Sequence, residues 1–172
     1  MLSEAAASTL GSLAKHANNL KGIATEGGIK TLIGLLEQGG EPGMQEAAAH
    51  ALARLAKHGE NKKEIAREGG IEALIVLLGP SNQASVREAA ANVIKSLASD
   101  DDNKKEIARE GGIKPIVGLF EDDCTPGMKE AAVYALARLV EDADNKKEIV
   151  RQGGIKPIIG LLGNGSEPGV RE

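Results

Sequence analysis

The 172-residue chain has one cysteine, no tryptophan, one tyrosine and one phenylalanine. With only Phe120 and Tyr134, it can build neither an aromatic core nor a recognition surface of stacked rings. The lone Cys124 excludes an internal disulfide framework and a zinc site built on cysteine pairs, and it suits a reducing compartment. A strong charge of either sign is also missing: 21 Lys and Arg against 25 Asp and Glu leave a formal net charge of −4. A general nucleic-acid binder carries a basic excess, so nucleic acid is not an expected partner. The longest apolar stretches, such as Ile71 to Leu78, fall short of a membrane span, so no membrane partner is expected. Met1 to Ser12 lacks a basic start followed by an apolar run. No signal peptide is therefore expected, and the expected location is cytoplasmic or nuclear.

What is present is repetition. Apolar residues make up 41% of the chain, enough for a packed core. The tripeptide Gly-Gly-Ile ends at Ile29, Ile71, Ile113 and Ile155, each 42 residues from the last. The run 61–71 (NKKEIAREGGI) recurs unchanged at 103–113 and with two substitutions at 145–155. Leu35, Leu77, Leu119 and Leu161 keep the same spacing, as do Glu4, Glu46, Glu88, Glu130 and Glu172. A fixed period of this size means one supersecondary unit stacked on the next.

Each unit divides into three helical pieces. The first is short, as at Asn103 to Glu110. Asn61, Asn103 and Asn145 precede Glu64, Glu106 and Glu148 by three residues, a capping-box spacing; Asn19 with Gly22 departs from it. The glycine pair then ends the helix, because glycine tolerates the left-handed turn. The second helix runs from about Ile113 to Phe120. Its apolar residues Ile113, Ile116, Val117 and Phe120 fall on one face, and Pro115 lies in its first turn. The third and longest covers about Pro126 to Glu141, with Met128, Ala131, Ala132, Ala135, Leu136 and Leu139 as its buried stripe.

A short helix, a glycine break and two longer helices within 42 residues resemble an armadillo repeat. The run 112–120 (GIKPIVGLF) is similar to that family's second helix, and 132–139 (AVYALARL) to its third. The double glycine favours this family over two-helix HEAT repeats. The resemblance covers the whole chain. It implies an all-α, right-handed superhelical solenoid of four 42-residue three-helix repeats, in a permuted frame with split terminal repeats. The expected layout is a single solenoid over 1–172. Residues 1–18 form a lone third helix, 19–60, 61–102 and 103–144 are complete repeats, and 145–172 hold the first and second helices of a truncated one. The near-identical blocks fit recent internal duplication and also an engineered array. The irregular turns, 79–82 against 121–124, favour natural-like units.

Members of the family such as importin alpha and beta-catenin are binding scaffolds, not enzymes. They hold extended peptides along a concave face lined by third helices. The resemblance therefore implies a protein or peptide partner, no small-molecule substrate and no cofactor. In its peptide binders a Trp and an Asn recur four residues apart on the third helix. The Trp-equivalent positions here are Ser8, His50, Asn92 and Tyr134, and the Asn-equivalent positions are Ser12, Arg54, Ser96 and Arg138. Neither family residue stands at its own position. A basic peptide would meet Arg54 and Arg138, whereas arginine suits carboxylate or phosphate. These eight residues are the candidate binding set, with an acidic or phosphorylated segment as ligand. The competing reading is a solvated face.

Other signals point away from chemistry. His50 and His58 are about two helical turns apart, too far to share a metal ion without a third element, and His16 is remote. No metal site and no catalytic residue is expected. Cys124 is expected to be exposed in its turn, its pKa raised by adjacent carboxylates, and so is no nucleophile. The stretch 163–169 is glycine-rich but lacks the Gly-Lys-Ser/Thr of a phosphate loop. The pairs Lys62-Lys63, Lys104-Lys105 and Lys146-Lys147 read as a solubilising edge, or as a stripe for an acidic partner. Finally, 169–172 share the register of 1–4. Leu10 and Leu13 of one copy would then cover Ile158, Ile159, Leu161 and Leu162 of another, a head-to-tail self-association.

Overall fold

A computed structural model describes residues 2–37, 41–121 and 123–163. The register match at 169–172 and Asp122 lie outside the described residues. Among the described residues, twelve α-helices follow one another: α1 (Leu2–Leu13), α2 (Ala17–Thr25), α3 (Gly28–Glu37), α4 (Pro42–Leu55), α5 (Gly59–Arg67), α6 (Gly70–Leu77), α7 (Ala84–Leu97), α8 (Asp101–Arg109), α9 (Ile113–Gly118), α10 (Pro126–Leu139), α11 (Ala143–Arg151) and α12 (Ile155–Gly163). None is long and apolar enough to cross a membrane.

The long helices form the spine: α1 packs on α4, α4 on α7, and α7 on α10. Their facing positions are alanine-rich, and Ala48, Ala49, Ala51, Ala89, Ala90, Ala131, Ala132 and Ala135 are all buried. Small side chains let the helix axes approach closely, so larger neighbours such as Leu52, Leu55, Ile94 and Leu97 interlock around them. The six apolar residues expected as the stripe of α10 are all buried. Helices α3, α6 and α9 pack beneath the spine on α4, α7 and α10.

The first short helix of each unit starts earlier than the capping-box spacing predicts. The N-cap of α8 is Asp100, whose carboxylate accepts from the N–H groups of Asp102 and Asn103, both at 3.1 Å. Asp142 does the same for Asp144 and Asn145 at 2.9 and 3.1 Å. Asn61, Asn103 and Asn145 lie inside the helix and are buried. Asn61 Nδ2 donates to the Leu55 carbonyl at the end of α4 (3.0 Å), and Asn19 donates to Leu13 at the end of α1 (3.0 Å). Asn19 and Asn61 thus clip one helix to the next, satisfying an orphan carbonyl rather than an orphan N–H, whereas Asn103 Nδ2 donates to the Lys62 carbonyl of the repeat before (3.4 Å). Glu64, Glu106 and Glu148 instead pair with Arg67, Arg109 and Arg151 one turn on. Helix α1 also ends at Leu13, and Ala17 already belongs to α2.

Helix α9 stops at Gly118, short of Phe120. Three successive i→i+3 bonds, from the N–H groups of Leu119, Phe120 and Glu121, tighten its last turn. Thr125 then caps α10 by accepting from Met128 N at 3.1 Å, and Pro126 follows at the first helical position.

The two glycines of each pair do different jobs. Gly69 has φ of +79°, the left-handed conformation that ends α5. Gly70 has an ordinary φ but no room: a Cβ there would lie 2.7 Å from both Cγ2 and the carbonyl oxygen of Ile65. Gly69→Ala is expected to destabilise by about 1–2 kcal/mol through backbone strain, and Gly70→Ala by about 1–3 kcal/mol through overpacking. Gly22, inside α2, has nothing within 4 Å of such a Cβ. Gly22→Ala should therefore stabilise by about 0.5–1 kcal/mol. Urea unfolding of the three variants checks this; equal effects at Gly22 and Gly70 would refute it.

Candidate peptide-binding cleft

A cleft of about 510 Å³ opens between the C-terminal ends of α4 and α7 and one side of α10. Lys57 follows α4, and Lys62 comes from α5. Lys95 and Ser96 are on α7, with Ser99 just beyond it, and Glu130, Tyr134 and Arg138 project from α10. Four cations therefore face one carboxylate. Lys62 Nζ donates to Ser99 Oγ at 2.6 Å, and that hydroxyl donates to the Ser96 carbonyl at 2.8 Å. Lys95 Nζ lies 5.8 Å from the centre of the Tyr134 ring, a cation–π distance. Tyr134 is 58% exposed and so within reach of a ligand. Arg138 Nη1 reaches Glu141 at 3.4 Å, which leaves most of its donors unused.

Of the eight candidate binding residues, the fold gathers Ser96, Tyr134 and Arg138 in this cleft. Ser8 and Ser12 are exposed on α1. His50 is exposed on α4, 3.7 Å from Glu46. Asn92 donates to the Glu88 carbonyl (3.1 Å), and Ser96 Oγ to that of Asn92 (3.1 Å). Arg54 lies over α1 instead, its Nη1 2.8 Å from where a Cβ of Gly11 would be. Lys57, Lys95 and Ser99 were not among the candidates. Register comparison could have found them: Lys95 is the one cation at a position otherwise held by Gly11, Ala53 and Ala137, and Lys57 and Ser99 stand where Glu141 does.

The proposed self-association residues divide. Leu10 and Ile158 pack partly against the core and Leu161 is half-buried, whereas Leu13 and Ile159 are exposed. The side chain of Leu162 lies outside those described.

Two sequence expectations need correcting. Cys124 is buried, at 7% exposure, not exposed. Buried Arg87 explains it: its guanidinium donates to the Leu78 carbonyl (3.3 Å), to Asp123 (3.3 Å) and to Cys124 Sγ (3.2 Å), folding the turn onto α7. Burial is the main cause pushing the thiol up, with Asp123 adding and Arg87 opposing. Nor are the lysine pairs a uniform solvated edge. Lys104 is only 7% exposed and bridges Asp101 (2.7 Å) and Glu141 (2.5 Å) of the following turn.

A further recurring contact links the spine helices. The Glu4 carboxylate lies over Gly43 in the first turn of α4, and Glu88 over Gly127 in that of α10, where it also accepts from Thr125 Oγ1 at 2.5 Å. Anions at helix N-termini are favoured by the macrodipole, which gives the 42-residue glutamate spacing a structural reason. A second cavity of about 980 Å³ between α2 and α5 mixes Lys21, Lys63 and Arg67 with Glu60 and Glu64, so it favours no single charge. Among the described residues no group of three or more His, Cys, Asp or Glu is placed to hold a metal.

Comparison with known proteins places the architecture. Residues 60–99 match the family described as Armadillo/beta-catenin-like repeat. The chain superposes on an engineered protein solved by the Northeast Structural Genomics Consortium with a TM-score of 0.86 at 26% identity, covering 95% of this chain and 68% of that one. On a second engineered protein from the same consortium the TM-score is 0.86 at 32% identity, covering 92% and 65%. A designed armadillo repeat protein in complex with the peptide (KR)4 gives a TM-score of 0.84 over 95% of this chain and 69% of that one; at 23% identity the likeness is one of fold. Nothing among the curated proteins matches.

The Lys104 bridge makes stability pH-dependent. Its hydrogen bonds hold Asp101 below the usual 3.8 and Glu141 below the usual 4.5. Such carboxylates contribute stability that is full above their usual values and is lost as pH falls through the lower folded values. Lys104, raised above its usual 10.5 by Asp101 and then by Glu141, contributes fully below 10.5 and loses that share only as pH rises further. Lys104→Met should lower Tm near about pH 7, and the gap to the parent should close as pH falls from about 4 to about 2. Thermal unfolding across that range is the check; a gap independent of pH would count against the bridge.

Proposed function

We propose that this chain, an armadillo-repeat solenoid, works as a non-enzymatic protein–protein interaction scaffold that holds an extended, acidic peptide segment along its spine helices. The observation that carries the reading is the cleft of Lys57, Lys62, Lys95 and Arg138 around the exposed Tyr134. An extended chain can lie across α4, α7 and α10 there, with the tyrosine contributing contact area and the cations selecting carboxylates. The likeness to a designed armadillo protein that holds (KR)4 supports peptide binding as something this architecture can do. The charge of this cleft favours the opposite kind of ligand, because a basic segment would be repelled.

Fluorescence anisotropy with a labelled oligo-glutamate peptide tests the reading. Arg138→Glu is expected to weaken binding by roughly tenfold. Arg54→Glu should have a smaller effect, because that guanidinium lies over Gly11. Unchanged affinity in the Arg138→Glu variant would sink the proposal.

A second reading, head-to-tail association of two copies, has its own support. Ile155 and Ile159 on α12 are 51% and 60% exposed, whereas Ile113 and Ile71, in the register of Ile155, are 1% exposed. An α1 from a second copy, with Leu10 and Leu13, would cover that face. Sedimentation velocity over a range of concentrations should show growth in size that Ile159→Glu abolishes. A monomer at every concentration would rule this reading out.

A further inference from the structure

One register position carries a lysine whose counter-charges are present in one repeat and missing in the repeat before it. Lys104 sits between Asp101 and Glu141. Its counterpart 42 residues earlier is Lys62. There Gly59 replaces Asp101 and Ser99 replaces Glu141. Both carboxylates are gone, and Lys62 Nζ holds only the Ser99 hydroxyl, at 2.6 Å. Neighbouring registers add positive charge: Lys57 stands one period before Ser99, and Lys95 one residue before Ser96 where the other repeats have Gly or Ala. Lys57, Lys62 and Lys95 all line the 510 Å³ cleft. None of the three has an ion pair among the described residues.

A single carboxylate leaves most of that charge unmet. A phosphomonoester brings a charge of about −1.5 to −2 and three acceptor oxygens. Lysines bind such a group as point charges. We propose that the Lys62–Ser99 junction is a phosphoryl subsite: a phosphoserine or phosphothreonine of the bound segment takes the place of the missing carboxylates, held by Lys57, Lys62 and Lys95. Tyr134 packs beside it, and Arg138, partly engaged by Glu141, guides the flanking acidic residues. This rests on the peptide-scaffold reading and adds that phosphorylation of the partner strengthens binding. Ser99→Glu, by recreating at Lys62 the pair seen at Lys104, fills the subsite from within.

The test uses labelled Gly/Glu/Ala peptides that differ only at a central residue, Ser, Glu or phosphoserine, together with inorganic phosphate followed by amide NMR shifts. The parent protein should bind the phosphoserine peptide roughly tenfold tighter than the serine peptide. Ser99→Glu should erase that preference without lowering Tm, while Ser99→Ala, which keeps the three lysines, retains it. Equal binding of the two peptides, or a preference that survives Ser99→Glu, overturns the subsite. If the glutamate peptide still binds and Arg138→Glu still weakens it, the scaffold reading stands alone. If inorganic phosphate shifts the Lys62 and Ser99 amides but no peptide binds, the phosphopeptide proposal is overturned in favour of a free-anion site, and the scaffold reading falls with it.

Discussion

Each repeat can bury its apolar face only against its neighbours, and the alanine-faced long helices make that contact possible. The buried methyls of α4, α7 and α10 let the helices approach closely, and large aliphatic residues fill the space around them. Because the period never varies, every side chain meets the same register of the next unit. A contact such as that between Lys104 and Glu141, 37 residues apart, is matched by one between Lys62 and Ser99 with the same separation. The stacking therefore sets more than stability. It decides which residues of different repeats share a surface, and a substitution at one register changes one junction while leaving the others intact.

That separation explains how the array combines a uniform skeleton with a local site. The skeleton is held by repeated devices: the left-handed glycine and its crowded successor, an asparagine clipping one helix end at Asn19 and Asn61, and the glutamate over the next helix N-terminus. These positions change little along the chain. The cleft is made where residue identity changes within an unbroken register, at Lys95 and at Lys57 and Ser99, which stand where Glu141 does. Charge that is internally balanced at the Lys104 junction is left unbalanced at the Lys62 junction. In a chain whose net charge is negative, a local excess of cations of this kind is set by position and not by composition.

Much of the fold was legible beforehand, because helix period, glycine placement and proline position act within a few residues. The stripe of α10 was readable down to individual side chains, since 3.6-residue periodicity leaves little choice of face. What misled was ambiguity in local motifs. The Asn-x-x-Glu spacing satisfies a capping box, yet the aspartates three residues before Asn103 and Asn145 are better placed to take the N–H groups, and Asn61, with no such aspartate before it, reaches back to the end of α4. Cys124 was misplaced for a related reason: only the packing of Arg87, remote in sequence, folds its turn inward.

By itself the sequence determined the period, the three-helix unit, the core face of each long helix and the absence of the groove tryptophans that armadillo peptide binders use. All of these follow from short-range spacing. The tertiary structure alone decided which of the predicted groove residues meet. Ser96, Tyr134 and Arg138 share a cleft with three lysines, while Arg54 lies over Gly11. The reason is that the cleft spans junctions between repeats. Its members are brought together by the stacking geometry, which no local pattern encodes.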